Sequence, residues 1–179
     1  MIFKWDVYLC GPTTFKGQEG VMRKAREILI ANHLTINDPR ENSTVVAMMV
    51  ARGESKDTLY RQILSLNTSG IEASYAIVSC IDNQDTGTAW EMGFSCGLAR
   101  YSGRYLPRIT FSARGASPNA LLIPSVHAHA ASLEALERLI SLTAVHLRGR
   151  DEIALHEAFN AFGEAPAEPR ELSPGNVYL

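Results

Sequence analysis

Three carboxylates fall within ten residues of one another in Asp82-Asn83-Gln84-Asp85-Thr86-Gly87-Thr88-Ala89-Trp90-Glu91-Met92-Gly93-Phe94. The apolar run before them, residues 75–81, reads as a buried strand. Residues 89–100, after them, read as a helix. Asp82, Asp85 and Glu91 therefore gather at the C-terminal end of a strand and in the first turn of the next helix. In open α/β sheets that edge is where ligands bind. Closely placed carboxylates are what acid/base and covalent sugar chemistry both require.

Each of these residues also has a purely structural reading. Thr88-x-x-Glu91 is a capping-box sequence that satisfies helix-start amides. As a first-turn carboxylate, Glu91 feels the positive helix end and stays ionised. An ionised carboxylate can attack an anomeric carbon. Asp85 is either an N-cap or a group that protonates or holds a leaving base. Asp82 either caps the strand end and orients the loop or touches ligand. Gly87 and Gly93 leave room for close approach, and Trp90 is a core residue or a pocket wall. Tyr8-Leu9-Cys10-Gly11-Pro12 ends the first strand. It is a tight turn, or a place where Gly11 lets backbone approach a ligand with Tyr8 beside it.

The elements that position these groups alternate between apolar runs and amphipathic segments. That pattern predicts a mainly parallel sheet flanked by helices. Strands are expected at 3–9, 34–37, 75–81, 104–111 and 125–130. Pro107 points to an edge position or a late start for the fourth strand. Helices are expected at 18–32, 57–69, 89–100, 132–145 with Ser132 as N-cap, and 151–162. Residues 40–55 fit a helical turn or a lid packed on the site. Residues 1–162 form one α/β domain. From residue 163 the chain turns Pro- and Glu-rich and ends in Asn176-Val177-Tyr178-Leu179, an extended tail that either frays or docks on a neighbouring subunit.

Composition narrows the function classes. The 179 residues are 46% hydrophobic and 20% charged, with a net charge of -2 and no long basic run, so neither a nucleic-acid nor a membrane surface is expected. No apolar stretch is long enough for a membrane span, and the N-terminus lacks a secretory core. Cys10, Cys80 and Cys96 are odd in number and sit in apolar contexts, which fits buried thiols in the cytoplasm. Neither they nor His127-x-His129 make a metal pattern, and no cofactor is expected. Glycine-rich dinucleotide loops, Walker loops and serine nucleophile elbows are all missing.

Taken together, these motifs resemble the nucleoside 2-deoxyribosyltransferase family over roughly residues 3–130 and the extreme C-terminus. The resemblance rests on Tyr8-Leu9-Cys10-Gly11-Pro12, Asp82-x-x-Asp85-x-Gly87-Thr88-x-x-Glu91-x-Gly93, Asn119 in Ser117-Pro118-Asn119-Ala120-Leu121, and Val177-Tyr178. It implies a flavodoxin-like doubly wound fold with a five-stranded sheet. It also implies Glu91 as nucleophile, Asp85 as the acid that engages the base, and Tyr8 as an aromatic neighbour of the nucleophile. Asn119 and Tyr178 match residues that reach a neighbouring subunit's site, so a homo-oligomer with shared sites, a dimer or a trimer of dimers, follows. Asn67 stands where some members carry Asp, which bears on base preference. Substrates would be 2′-deoxynucleosides and free purine or pyrimidine bases. The alternatives are a nucleoside or 5′-monophosphate N-glycosidase on the same fold and a non-catalytic nucleotide-sensing domain. Against the 5′-monophosphate enzyme, Gly11-Pro12-Thr13-Thr14-Phe15-Lys16-Gly17 carries no Arg.

Overall fold

A computed structural model describes residues 3–12, 18–119 and 122–163. Five strands, β1 (Trp5–Cys10), β2 (Ile36–Asn37), β3 (Ser74–Cys80), β4 (Arg108–Phe111) and β5 (Ala128–Ala130), form one sheet in the order β2-β1-β3-β4-β5. Every pairing is parallel. This is the flavodoxin-like doubly wound order, which reverses between β1 and β3 and opens a crevice at the strands' C-terminal ends. The described residues form six α-helices, α1 (Gln18–Ala31), α2 (Ser43–Ala51), α3 (Lys56–Glu72), α4 (Thr86–Ser102), α5 (Leu133–Gly149) and α6 (Glu152–Phe162).

Strand periodicity sorts the core into two layers. Side chains alternate between sheet faces, so Val7 and Leu9 of β1 join Met22, Ala25 and Leu29 of α1 and Leu136, Leu139 and Ile140 of α5. Tyr8 and Cys10 point the opposite way and pack with Ile71 of α3, Ile77 of β3 and Met92 of α4. β3 is buried along its whole length, as expected of a central parallel strand covered on both faces. The layer holding Tyr8 and Cys10 is thus the one into which α3 and α4 project.

Several expectations shift. β4 begins at Arg108, directly after Pro107, and runs between β3 and β5. The late start is correct and the edge position is not: the ring precedes the ladder and removes no bond from it. Within the 40–55 segment, expected as a helical turn or a lid, residues 43–51 form α2, none of whose residues is buried. Ser132 caps α5 by accepting from the Ala135 amide at 3.1 Å. α4 begins three residues before its expected start, with Asp85 in extended conformation as its N-cap. The tail from residue 164, including Tyr178, lies outside the described residues. No described helix is long and apolar enough to cross a membrane.

Candidate active site

Glu91 sits in the second turn of α4, six residues beyond the N-cap. The capping-box reading is therefore overturned. It is Asp85 whose Oδ2 accepts the Thr88 amide at 2.7 Å and the Thr88 hydroxyl at 2.8 Å. Asp85 satisfies the helix start, so Glu91 is released from that duty and turns its carboxylate toward the sheet, where it is 6% exposed.

There it meets the Tyr8 face of β1. The Tyr8 hydroxyl donates to Glu91 Oε1 at 2.6 Å, and Asn67 Nδ2 of α3 donates to the same oxygen at 3.0 Å. Burial pushes the Glu91 carboxyl up to about 7, and the Asp85 charge pushes the same way. The Tyr8 hydrogen bond opposes them, with a weaker lowering influence from the Cys10 thiol. The expectation that the helix end keeps Glu91 well ionised is thereby corrected. At the second turn the dipole has faded, and desolvation dominates. Burial and the adjacent Glu91 hold Tyr8 far above the usual phenol range, so it remains a hydrogen-bond donor. Cys10 is likewise raised by burial and by Glu91.

Glu91, Asp85, Gly87, Thr88 and Asn67 line a cavity of about 700 Å³ closed by Val46 and Ala47 of α2 and bordered by Gly11 and Arg40. Part of the 40–55 segment thus forms a wall of the site. A second, smaller recess that also contains Glu91 is lined by Trp90, Tyr60, Ile63 and Leu64. Trp90 is 44% exposed and stacks on Phe94 at 5.4 Å, so it is a wall and not core.

Two glycines act through packing. A methyl at Gly11 would lie 2.4 Å from Met22 Sδ and 2.9 Å from Cys80 Cβ. Gly11 is thus required by the core beneath the cavity as well as lining it. Gly70, which sequence reasoning passed over, makes room for the Tyr8 ring. It lies just beyond the expected end of this helix at residue 69, whereas α3 continues to Glu72.

Asp82 is 1% exposed. Ser112 Oγ donates to its Oδ1 at 2.5 Å and the Ala113 amide to its Oδ2 at 3.1 Å. Both oxygens fasten the loop after β4, the structural alternative open to this residue. That loop carries Ser117 and Asn119 to a smaller cavity shared with Asp85, Thr88 and Met92. Within one chain, Asn119 lines neither recess that contains Glu91.

Arg40 brings to the cavity the arginine that the glycine-proline loop lacks. Asp38, almost fully buried, accepts from Arg40 Nε at 2.7 Å and also from Nη2. Among the described residues no group of three His, Cys, Asp or Glu could hold a metal ion. His127 accepts the Arg108 amide through Nδ1 at 3.0 Å and packs between Tyr105 and Phe159. Burial and Arg108 depress it to about 4, so it serves the core as a neutral acceptor.

A comparison with curated protein sequences finds no match. A solved 2-deoxyribosyltransferase from the psychrotolerant bacterium Bacillus psychrosaccharolyticus is similar in structure, with a TM-score of 0.54 and 26% sequence identity, covering 73% of this chain and 89% of that one. The family model described as nucleoside 2-deoxyribosyltransferase matches residues 7–111, which include Tyr8 of β1 and all of α3, β3 and α4. With more than half of its length matched by that model, the chain belongs to the nucleoside 2-deoxyribosyltransferase family.

Proposed function

We propose that this protein exchanges the base of 2′-deoxynucleosides through a covalent deoxyribosyl intermediate on Glu91. The observation that carries the reading is the Glu91 carboxylate, buried yet lining a cavity of about 700 Å³ and oriented by the Tyr8 hydroxyl at 2.6 Å. A nucleophile in double displacement must be aimed before substrate arrives. Tyr8, fully buried and kept protonated, provides that aim.

In the first step Glu91 attacks C1′, forming a C1′–oxygen ester bond as the C1′–nitrogen bond breaks. The departing base takes a proton that Asp85, ionised in the resting enzyme, relays from solvent. In the second step a nitrogen of the incoming base attacks C1′, the ester breaks, and that nitrogen's proton leaves to solvent by way of Asp85. Two inversions give net retention, as in retaining glycosidases. The missing 2′-hydroxyl eases development of positive charge on the sugar. Neither metal nor organic cofactor takes part.

Charge favours nucleosides over 5′-monophosphates. Among the described residues the cavity wall carries Glu19, Asp85 and Glu91 against one cation, Arg40, whose guanidinium is already engaged by Asp38. An added phosphate would meet a net acidic wall. Gly11, Gly87 and Trp90 shape the sugar and base walls. Asn119 and Tyr178 complete a neighbouring subunit's site in a homo-oligomer, a reading supported for Asn119 by its separation from Glu91 within one chain.

The test is product analysis by chromatography. Purified protein is incubated with deoxyinosine or thymidine, with and without free adenine. Deoxyadenosine formed only when adenine is present establishes base exchange. Free base and deoxyribose without a new nucleoside would establish the hydrolase instead. An unchanged mixture at high enzyme concentration would sink both.

A further inference from the structure

Glu91 is held from two other elements at once. Tyr8 reaches it from β1 and Asn67 from α3, and both donate to Oε1. Asn67 is half-buried and lines both recesses that contain Glu91. The family resemblance gives this position a part in choosing the base, and one N–H of its side-chain amide is directed at the carboxylate. We propose that Asn67 is a positioning residue for Glu91, its amide N–H clamping Oε1 together with the Tyr8 hydroxyl so that the carboxylate is held in its attacking orientation. The proposal rests on Glu91 being the nucleophile of the reaction above.

The choice of an amide has a chemical consequence. Asn donates at every pH, whereas an ionised carboxylate in its place would only accept. The groups around Glu91 make that difference large. Tyr8 and Cys10 of β1 are both pushed toward their neutral forms by burial. Asp85 at the α4 N-cap is the charged group acting on Glu91, and it acts against ionisation. Glu19 of α1 and Arg40 line the same cavity, with Arg40 taken by Asp38. Asn67 is thus an uncharged donor in a neighbourhood whose nearest charge is negative. An aspartate there would exchange a donor for a second like charge, and the pair would retain a proton to higher pH.

The experiment compares full-length wild type with Asn67→Asp and Asn67→Ala. Kinetics are run from about pH 5.5 to about pH 9, and glutamate side-chain carbons are titrated by NMR in the absence of substrate, with Glu91→Gln identifying the resonance. A clamp predicts an upward move of the Glu91 midpoint in both variants, larger in Asn67→Asp. It predicts a loss of kcat/KM in Asn67→Asp of about tenfold or more at about pH 6, shrinking towards about pH 9, since one unit of midpoint is tenfold in the ionised fraction. Donor KM should stay within about threefold, because the change acts on reactivity and leaves uniform binding intact. An unmoved midpoint in both variants, or a loss of rate equal at every pH, would overturn the proposal. So would a changed KM and base preference with an unmoved midpoint, which would return Asn67 to base recognition. Wild type without turnover would refute the reaction while leaving the titration to decide the clamp. Asn67→Ala guards against misfolding of the charged variant, with circular dichroism as the check on both.

Discussion

A methyl group added at Gly70 would stand 2.9 Å from Cε2 of Tyr8 and 2.9 Å from Oδ1 of Asn37. Gly70 lies on α3, one turn beyond Asn67, and its missing side chain sets how deeply Tyr8 can seat against the helix. The ring so seated delivers its hydroxyl to Glu91. Gly70→Ala gains about 1 kcal/mol of helix propensity and incurs overpacking of about 1–3 kcal/mol. The net effect on folding is small, while the Tyr8 hydroxyl is displaced. We expect kcat to fall by about tenfold, the scale of a misaimed catalytic group, with Tm lowered by a few degrees at most. Paired kinetics and thermal melts check this. A variant with wild-type kcat would show that Gly70 does not set the position of Tyr8.

The free enzyme should show an acid limb near neutrality. Glu91 attacks only when ionised, and burial holds its carboxyl at about 7. The active fraction therefore rises with pH through about 7, and kcat/KM should fall about tenfold for each unit below about pH 6. A profile flat from about pH 5 to about pH 8 would show that another group is limiting.

Much of this site is legible in the sequence because it lies on local patterns. The strand before Asp82 and the helix after it place all three carboxylates at one sheet edge, and the Tyr8 motif ends the first strand beside it. What remains hidden depends on which residue takes a cap. Thr88-x-x-Glu91 fits a capping box as well as Asp85-x-x-Thr88 fits a cap, and only the backbone at Asp85, extended at φ -60° and ψ 123°, settles where the helix begins. The fate of Asp82 is likewise non-local, since Ser112 and Ala113, which occupy its oxygens, lie thirty and thirty-one residues away. α2 was unreadable for a different reason. Its apolar residues, Val45, Val46, Met48 and Val50 among them, follow no single helical face, so periodicity gives no signal. The Asn67–Glu91 bond spans twenty-four positions and joins two helices whose packing no local pattern encodes.

Tyr8→Phe removes the shorter of the two bonds to Oε1 while preserving the ring in its slot. A hydrogen bond to a charged group contributes about 1.5–3 kcal/mol. The Tyr8 bond lowers the Glu91 carboxyl against its burial, so its loss should move the acid limb upward by about one unit or more. We expect a loss of activity of about ten- to a hundredfold at about pH 6, partly recovered at about pH 8.5. A purely aromatic role for Tyr8, as a wall for sugar or base, predicts an unchanged limb.

Stability supplies a readout of Glu91 that needs no substrate. Its carboxyl is raised from the ordinary 4.5 to about 7 in the folded protein, chiefly by burial. Between those values the folded state binds a proton that the unfolded chain has released, so folding loses stability as pH rises through that window. Above it the penalty is complete and of order 3 kcal/mol, from about two and a half units at about 1.4 kcal/mol each. Glu91→Gln keeps an acceptor oxygen for Tyr8 and Asn67 and removes the ionisation. The variant should therefore be more stable than wild type at about pH 8, by as much as about 3 kcal/mol, with the advantage fading towards about pH 4.5. Denaturant melts across that range decide the matter. A stability difference that is constant with pH would mean that Glu91 titrates alike in folded and unfolded chains, and that burial is not what brings its carboxyl near neutrality.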